Sequence, residues 1–543
     1  MKYLDEEVEK LNKIDYLFIG IIVLLYAILS FYKLGDFTSP NTFFRANKED
    51  IIDIELESND NYKMRFYSGE KTVKFRLYVG ETKEQLDFIT LYESDKYFSW
   101  NDIILDHKGK YVRLYFLKNP SIGEIGFINK MNEIQKIKNI SYNNKSVHLL
   151  SDEQEMIPDR ISYMNSMYFD EIYFATTAYQ KVFHLKIEEW THPPLGKLIQ
   201  AIPIAITKKM TPFNYRLMGN ISGILLLIVM YIFGIVLFKK RKYALISMLL
   251  MALDTFHFAH TRMGTVDSHL VLMMSLSLLY MVLFLKKEKK LYMILSALFF
   301  SFSITIKWTG LYMIIPLFVL YLYRLLQNRI KDWKKIITPI ILFIFLPIGF
   351  YISIYLISPN NLNETNTINN IILEQKKMYH YHSTLKESHD FSSKWYTWPI
   401  SYKPVWYHLQ EYIDTKETIS GVGNIIIWFL GLISIPLLMI ETIQKKDKTA
   451  ALLLLTIIYL WIPYMFIKRV MFLYHFFPVL PFYFLSIVYL LKYIEEKMKL
   501  KHFIKIYLLI VLFYFMIYYP VVSGIEINKS YGEYLRLFSS WYF

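Results

Sequence analysis

Cysteine is missing from all 543 residues, so neither a disulfide nor a cysteine-ligated metal belongs to this chain. His380, His382 and His389 lie close together, but their spacing fits no zinc pattern, and no metal or cofactor is expected. The N-terminal stretch MKYLDEEVEKLNK mixes acid and base and has no small-residue cleavage site after it. The first apolar run, 16–34, is therefore expected to be a retained span. The chain has no internal repeat with matched Gly/Pro-broken segments, which weighs against a transporter. A formal net charge of +14 in a soluble protein suggests nucleic acid. Here the basic residues form short runs between apolar segments, as in cytoplasmic loops, and no nucleic-acid partner is expected.

What the chain has in abundance is apolar sequence: 54% of residues are hydrophobic and 17% aromatic. Runs of about 18 or more apolar residues predict a polytopic helical membrane protein. After 16–34 they fall at 214–238, 243–261, 264–285, 291–306, 309–327, 334–357, 424–443, 450–467, 471–492 and 503–521, about eleven in all. With the N-terminus cytoplasmic and 198–207 lying in the interface, the basic runs at 239–242, 286–290, 329–335, 445–448 and 497–501 share one side, as the positive-inside rule expects. If 198–207 crossed, the later loops would invert.

That orientation puts the polar stretch from Asp36 to about Glu188 outside. Period-two alternation at 62–66, 73–79, 86–92 and 111–117, broken by Ser68-Gly69, Gly80 and Lys108-Gly109, predicts a β-sandwich over 46–132. The organisation expected is a first segment and span at 1–45, the sandwich at 46–132 and a catalytic outer loop with interfacial helices at 133–213. A transmembrane core at 214–357, a large outer loop at 358–422, C-terminal spans at 423–521 and an outer tail at 522–543 follow. The stretch SPNNLNETNTINN from Ser358 is expected to be mobile.

The organising segment is 168–197, YFDEIYFATTAYQKVFHLKIEEWTHPPLGK. It carries the acidic pair Asp170-Glu171 and then His192-Pro193-Pro194-Leu195-Gly196-Lys197. Ionisable residues this dense beside membrane spans are costly unless they face water or a partner. The segment is expected to floor an active site at a membrane surface. The other outer turns add Arg216, the run from His260 to His269, Lys307-Trp308, a His-, Trp- and Tyr-rich stretch at 379–408, and Lys468-Arg469 with His475. Each has a plainer reading. Asp170-Glu171 could be solvated or cap a helix at 172–183. Arg216, Lys197 and Arg262 could anchor at the interface. The prolines suit a helix start, leaving His192 to line the site. Asp267 is expected to pair with a cation such as Arg262. Trp395, Trp398, Trp406 and the final Trp541-Tyr542-Phe543 suit an interfacial belt better than sugar stacking.

These residues resemble the protein O-mannosyltransferase family, especially its bacterial members. The landmarks are Asp170-Glu171, HPPLGK from His192, Arg216 in FNYRLMGN, DTFHFAHTRMGTVDSH from Asp254 and KWTGLY from Lys307. SSKWYTWPI from Ser392, GNIIIWFLG from Gly423 and KRVMFLYHFFPVLPF from Lys468 continue the series, which covers most of the chain. The resemblance implies an all-α membrane fold of the GT-C type, here with an extracytoplasmic β-sandwich insertion in the first outer loop. It implies transfer of mannose, with inversion, from a polyprenyl phosphate to Ser or Thr hydroxyls of exported proteins at the outer face of the cell membrane. Such transfer needs a base at the attacking hydroxyl. By the resemblance Asp170 is that base and Glu171 positions it or the acceptor. The leaving phosphate needs positive charge, which Arg supplies bidentately. Arg216 matches the family's phosphate-binding arginine, with Lys197 and Arg262 as further candidates. His192, Asp267, His389, Trp398, Arg469 and His475 are expected at the substrate. A monophosphate held by Arg or Lys requires no metal.

Two departures concern the acceptor. The loop at 358–422 has no room for the β-trefoil of eukaryotic members. The sandwich, similar to discoidin or galactose-binding domains, lies outside the common core and could bind glycan, bind acceptor protein or act as a spacer. A lipid or cell-wall glycan acceptor, as in the related aminoarabinose transferases, is the alternative, and a lipid or solute transporter is a more distant one. A dimer or protein-export machinery are further possible partners.

Overall fold

The computed structural model describes residues 11–105, 107–143, 145–327, 333–358, 368–500 and 502–543. Most of SPNNLNETNTINN, the first ten residues and part of the basic run at 329–335 lie outside the described residues. The chain packs as two compact units. The first comprises Leu34–Phe183 and Ala201–Arg216, the second the residues up to Lys33, His184–Gln200 and Leu217–Phe543.

Eleven strands build a sandwich in the first unit: β1 Phe44–Arg45, β2 Ile51–Leu56, β3 Lys63–Ser68, β4 Val73–Gly80, β5 Asp87–Ser94, β6 Ser99–Ile104, β7 Tyr111–Phe116, β8 Ser121–Ile128, β9 Ile134–Gln135, β10 Ile137–Tyr142 and β11 Lys145–Ser146. One sheet runs β1-β8-β3-β6 with β9 beside β8; the other runs β11-β10-β2-β7-β4-β5. Alternate residues meet between the sheets. Ile52, Ile54 and Leu56, then Phe75, Leu77 and Val79, then Val112, Leu114 and Phe116 are all buried. Each such side chain contributes about 1.5–3 kcal/mol. The sandwich runs past the expected end at 132, because β10 pairs with β2 in the register Ile140↔Ile54. Only Ile140 of β10 is fully buried, so its sequence carries little alternation.

The sandwich is built into the loop that holds the acidic pair. Trp100 N donates to Ser166 Oγ at 3.1 Å and Met167 N to Ser99 Oγ at 3.0 Å. Phe98 packs edge-on against Tyr179 at 4.8 Å.

The second unit is helical. Among the described residues nine helices are long and apolar enough to cross a membrane, or ten if the bent pair Arg241–Ala252 and Thr255–Thr261 is one span. The remaining expected span, 291–306, is a 17-residue helix, Lys290–Ile306. The stretch 243–261, read from sequence as continuous, turns by 60°. Asp254 causes the break. Its carboxylate caps the second helix through His257 N at 2.9 Å and accepts from Trp428 Nε1 at 2.7 Å and Asn424 N at 3.1 Å. A small sheet of Val405–Glu411, Thr415–Gly421 and Ile527–Asn528 completes the unit.

Candidate active site

In the first unit the helix Glu171–Val182 begins at the acidic pair, with Asp170 at its N-cap. Phe169, just before it, has a left-handed backbone with φ 50°. For a bulky aromatic this conformation is uncommon, and such strain persists only where the surroundings impose it. The Asp170 side chain makes no capping bond and is half-buried. The two acids therefore part in role, because Glu171 is wholly buried and bound on both oxygens. Arg216 donates Nε to Glu171 Oε1 at 2.7 Å and Nη2 to Oε2 at 2.8 Å. Its other N–H groups reach Leu34 O at 3.0 Å, Tyr163 O at 2.7 Å and Ser166 O at 3.0 Å. The Tyr168 ring lies 4.7 Å from the guanidinium.

In this geometry Arg216 is turned wholly to protein oxygens. A guanidinium has five N–H donors, and Arg216 spends all five on protein oxygens. Two more of the candidate cations also bond to protein oxygens. Lys197 Nζ donates to Glu189 O at 3.0 Å, to the Glu189 carboxylate and to His192 O at 2.9 Å, using its three donors. Arg262 sits on helix-terminal carbonyls: Ser30 O at 3.0 Å, Tyr32 O at 2.9 Å, Lys33 O at 2.8 Å and Ser523 O at 2.8 Å. It neutralises the negative ends of two helices. The sequence shows the cations but not the oxygens that fold against them.

In the second unit a polar cluster gathers around the His192 loop. Lys307 Nζ donates to Asp267 Oδ1 at 2.9 Å, both being buried. Asp267 thus pairs with a cation as expected, the cation being Lys307 rather than Arg262, and His260 Nε2 stands 4.0 Å from its other oxygen. His382 Nε2 donates to Thr191 O at 2.8 Å, which leaves Nδ1 to accept from Arg469 Nη1 at 3.0 Å. The other end of the Arg469 fork lies 3.5 Å from His475 Nε2. His192 stacks on His382 at 5.3 Å. Burial, together with the charges of Lys307, Lys197 and Arg469, holds His192 well below the ordinary imidazole pKa. Burial and the same Lys307 and Arg469 charges lower His382. Arg469 is therefore a half-buried cation between imidazoles, with no carboxylate partner among the described residues.

Trp398 belongs to this cluster rather than to an interfacial belt: it is fully buried and stacks on His475 at 6.0 Å. Trp541 is also fully buried, its Nε1 donating to Ser401 O at 2.8 Å. His389 is exposed and packs on Phe472 at 5.0 Å. His382 and Lys307 join this cluster without having been site candidates, and the His-rich stretch and the isolated Lys307-Trp308 cation were their sequence signals.

Among curated proteins no sequence match is found. Among solved structures, the S. cerevisiae protein O-mannosyltransferase Pmt1–Pmt2 complex bound to the sugar donor is similar with a TM-score of 0.62 and 12% identity, over 69% of this chain and 89% of that one. ArnT from Cupriavidus metallidurans gives 0.41 and 14%, over 59% and 54% of the two chains. The Archaeoglobus fulgidus oligosaccharyltransferase with Zn and sulfate gives 0.42 and 12%, over 67% and 50%. The yeast likeness shows a shared GT-C membrane fold. A family model described as dolichyl-phosphate-mannose-protein mannosyltransferase matches residues 191–351. A second, for the C-terminal four-transmembrane region of protein O-mannosyltransferase, matches 367–541. Two models of one family thus run in tandem from the HPPLGK loop to the C-terminal tryptophan, and the chain is a membrane glycosyltransferase of the protein O-mannosyltransferase family.

Proposed function

We propose that this enzyme moves mannose from a polyprenyl-phosphate donor to Ser or Thr hydroxyls of exported proteins, at the extracytoplasmic face of the cell membrane and with inversion at C1. Asp170 is the general base. It accepts the hydroxyl proton as the oxygen attacks C1, and the bond from C1 to the phosphate oxygen breaks. The observation that supports this choice is the use of Glu171: a carboxylate bound on both oxygens by a buried Arg216 cannot also take a proton from an acceptor. Glu171 and Arg216 are positioning residues that fix the start of the Asp170 helix. Charge on the departing lipid phosphate is assigned to Arg469, whose fork is held by two imidazoles. His192 and Lys197 shape the loop that carries Thr191, the His382 partner.

The test is transfer by purified protein from radiolabelled polyprenyl-phosphate-mannose to a Ser/Thr-rich peptide. Wild type is expected to transfer, and Asp170→Asn to lose at least about 100-fold in rate while keeping its thermal midpoint. Equal rates would remove Asp170 as base. Donor binding without transfer by the wild type would redirect the acceptor to a lipid or cell-wall glycan.

A further inference from the structure

Arg469 also borders an open cleft of about 650 Å³ in the second unit. The segments 392–397, 402–403 and 467–471 line it. Four cations border it, Lys394, Lys403, Lys468 and Arg469, and among the described residues no Asp or Glu does. None of the four forms an ion pair with a described carboxylate. Lys394 and Lys468 are exposed and Lys403 and Arg469 half-buried, so the cleft presents accessible positive charge that attracts anions.

Position decides which anion. The segment 467–471 follows directly on the candidate span Lys448–Phe466. The last apolar residues of that span point outward, Met465 being 50% and Phe466 73% exposed. Trp395 and Tyr396 line the same cleft, and Trp and Tyr prefer the headgroup level. A cationic recess with aromatic walls and bare apolar residues below it suits a phosphate attached to hydrocarbon chains. It suits a water-soluble acidic peptide less well.

We infer that this cleft is a lipid-phosphate site, in which Lys394, Lys403 and Lys468 hold the headgroup phosphate of an anionic membrane lipid beside Arg469. The three lysines belong to no catalytic role assigned above, and the cleft rests on the proposed function only through Arg469. The occupant is an anionic phospholipid of the surrounding membrane rather than the polyprenyl phosphate of the transfer reaction.

The test uses the full-length protein in a neutral detergent and reads retained lipid by native mass spectrometry. Polyprenyl phosphate, phosphatidylglycerol and phosphatidylcholine are offered at equal concentration. Wild type is expected to retain phosphatidylglycerol over phosphatidylcholine. K394Q/K403Q/K468Q is expected to lose this preference by about 100-fold, each cation near a lipid surface counting for about fivefold. K394R/K403R/K468R is expected to keep it, which separates charge from folding. Retention of polyprenyl phosphate alone would make the cleft part of the donor site and overturn the inference. Equal retention by wild type and the glutamine variant overturns the inference. So does full displacement by millimolar inorganic phosphate or by an acidic peptide. Because no transfer is read, its failure is distinct from failure of the proposed reaction.

Discussion

Arg216 and Glu171 share a buried environment in which neither charge is stable alone. Removing one partner of such a pair costs about 3–5 kcal/mol, because the other is left uncompensated. Glu171→Gln is therefore expected to lower the thermal midpoint sharply and to raise amide exchange in the helix Glu171–Val182. The donor KM of the protein that stays folded is expected to be unchanged. A raised donor KM at an unchanged midpoint would return Arg216 to the phosphate. None of this pairing was legible from the chain. Arg216 and Glu171 are 45 positions apart, and an arginine at the start of an apolar run looks the same whether it faces a lipid or a carboxylate. Residue types were legible, since Asp170, His192, Arg469 and His475 announced themselves as polar groups in apolar company. Their bonding partners were not, because long-range contacts leave no local signature.

Single strands and helices were more readable where one face is buried and the other wet. The alternation at 73–79 and 111–117 matches β4 and β7 within a residue. Strand β8 was missed because all eight of its residues are buried, so no alternation exists to read. That strand holds Glu124, wholly buried and bonded to Glu153 N at 2.8 Å and to the Gln154 side chain. Burial, with Asp152 and Glu153 nearby, pushes Glu124 up to about 7 from an ordinary 4.5. An acid whose folded pKa is raised holds its proton more tightly folded than unfolded. Stability is therefore greatest below about 4.5 and falls as pH rises to about 7. Glu124→Gln is expected to flatten that slope, gaining about 2 kcal/mol of local stability at neutral pH. Hydrogen exchange of β8 at pH 5 and pH 7.5, variant against wild type, measures it; parallel slopes would refute it. The bent pair Arg241–Ala252 and Thr255–Thr261 teaches a similar lesson. Hydropathy ran through Asp254, but its capping geometry breaks the helix.

For the whole molecule, the membrane class and the family were legible because long apolar runs and an ordered series of landmarks survive without any structure. The limits of the sandwich were not. Excising 46–132 would strand β10, whose partner β2 would be gone. Replacing 44–146 by a short linker is expected to give a monodisperse protein in detergent, and excision of 46–132 an aggregated one. Similar size-exclusion profiles would contradict the strand pairing. Chemistry at this scale is expected to be independent of divalent ions, since lysine and arginine are enough for a lipid monophosphate. EDTA is expected to leave transfer within about twofold, and loss restored by a divalent ion would contradict the cation assignments.

Arg262 joins carbonyls at Ser30, Tyr32 and Lys33 to one at Ser523. During synthesis the first three acceptors precede it and the fourth emerges 261 residues later. A nascent chain holds this buried guanidinium incompletely satisfied until its last long apolar helix, Phe503–Ser523, has been delivered. A chain that stops before Ser523 leaves one of the four carbonyl partners of this buried guanidinium missing.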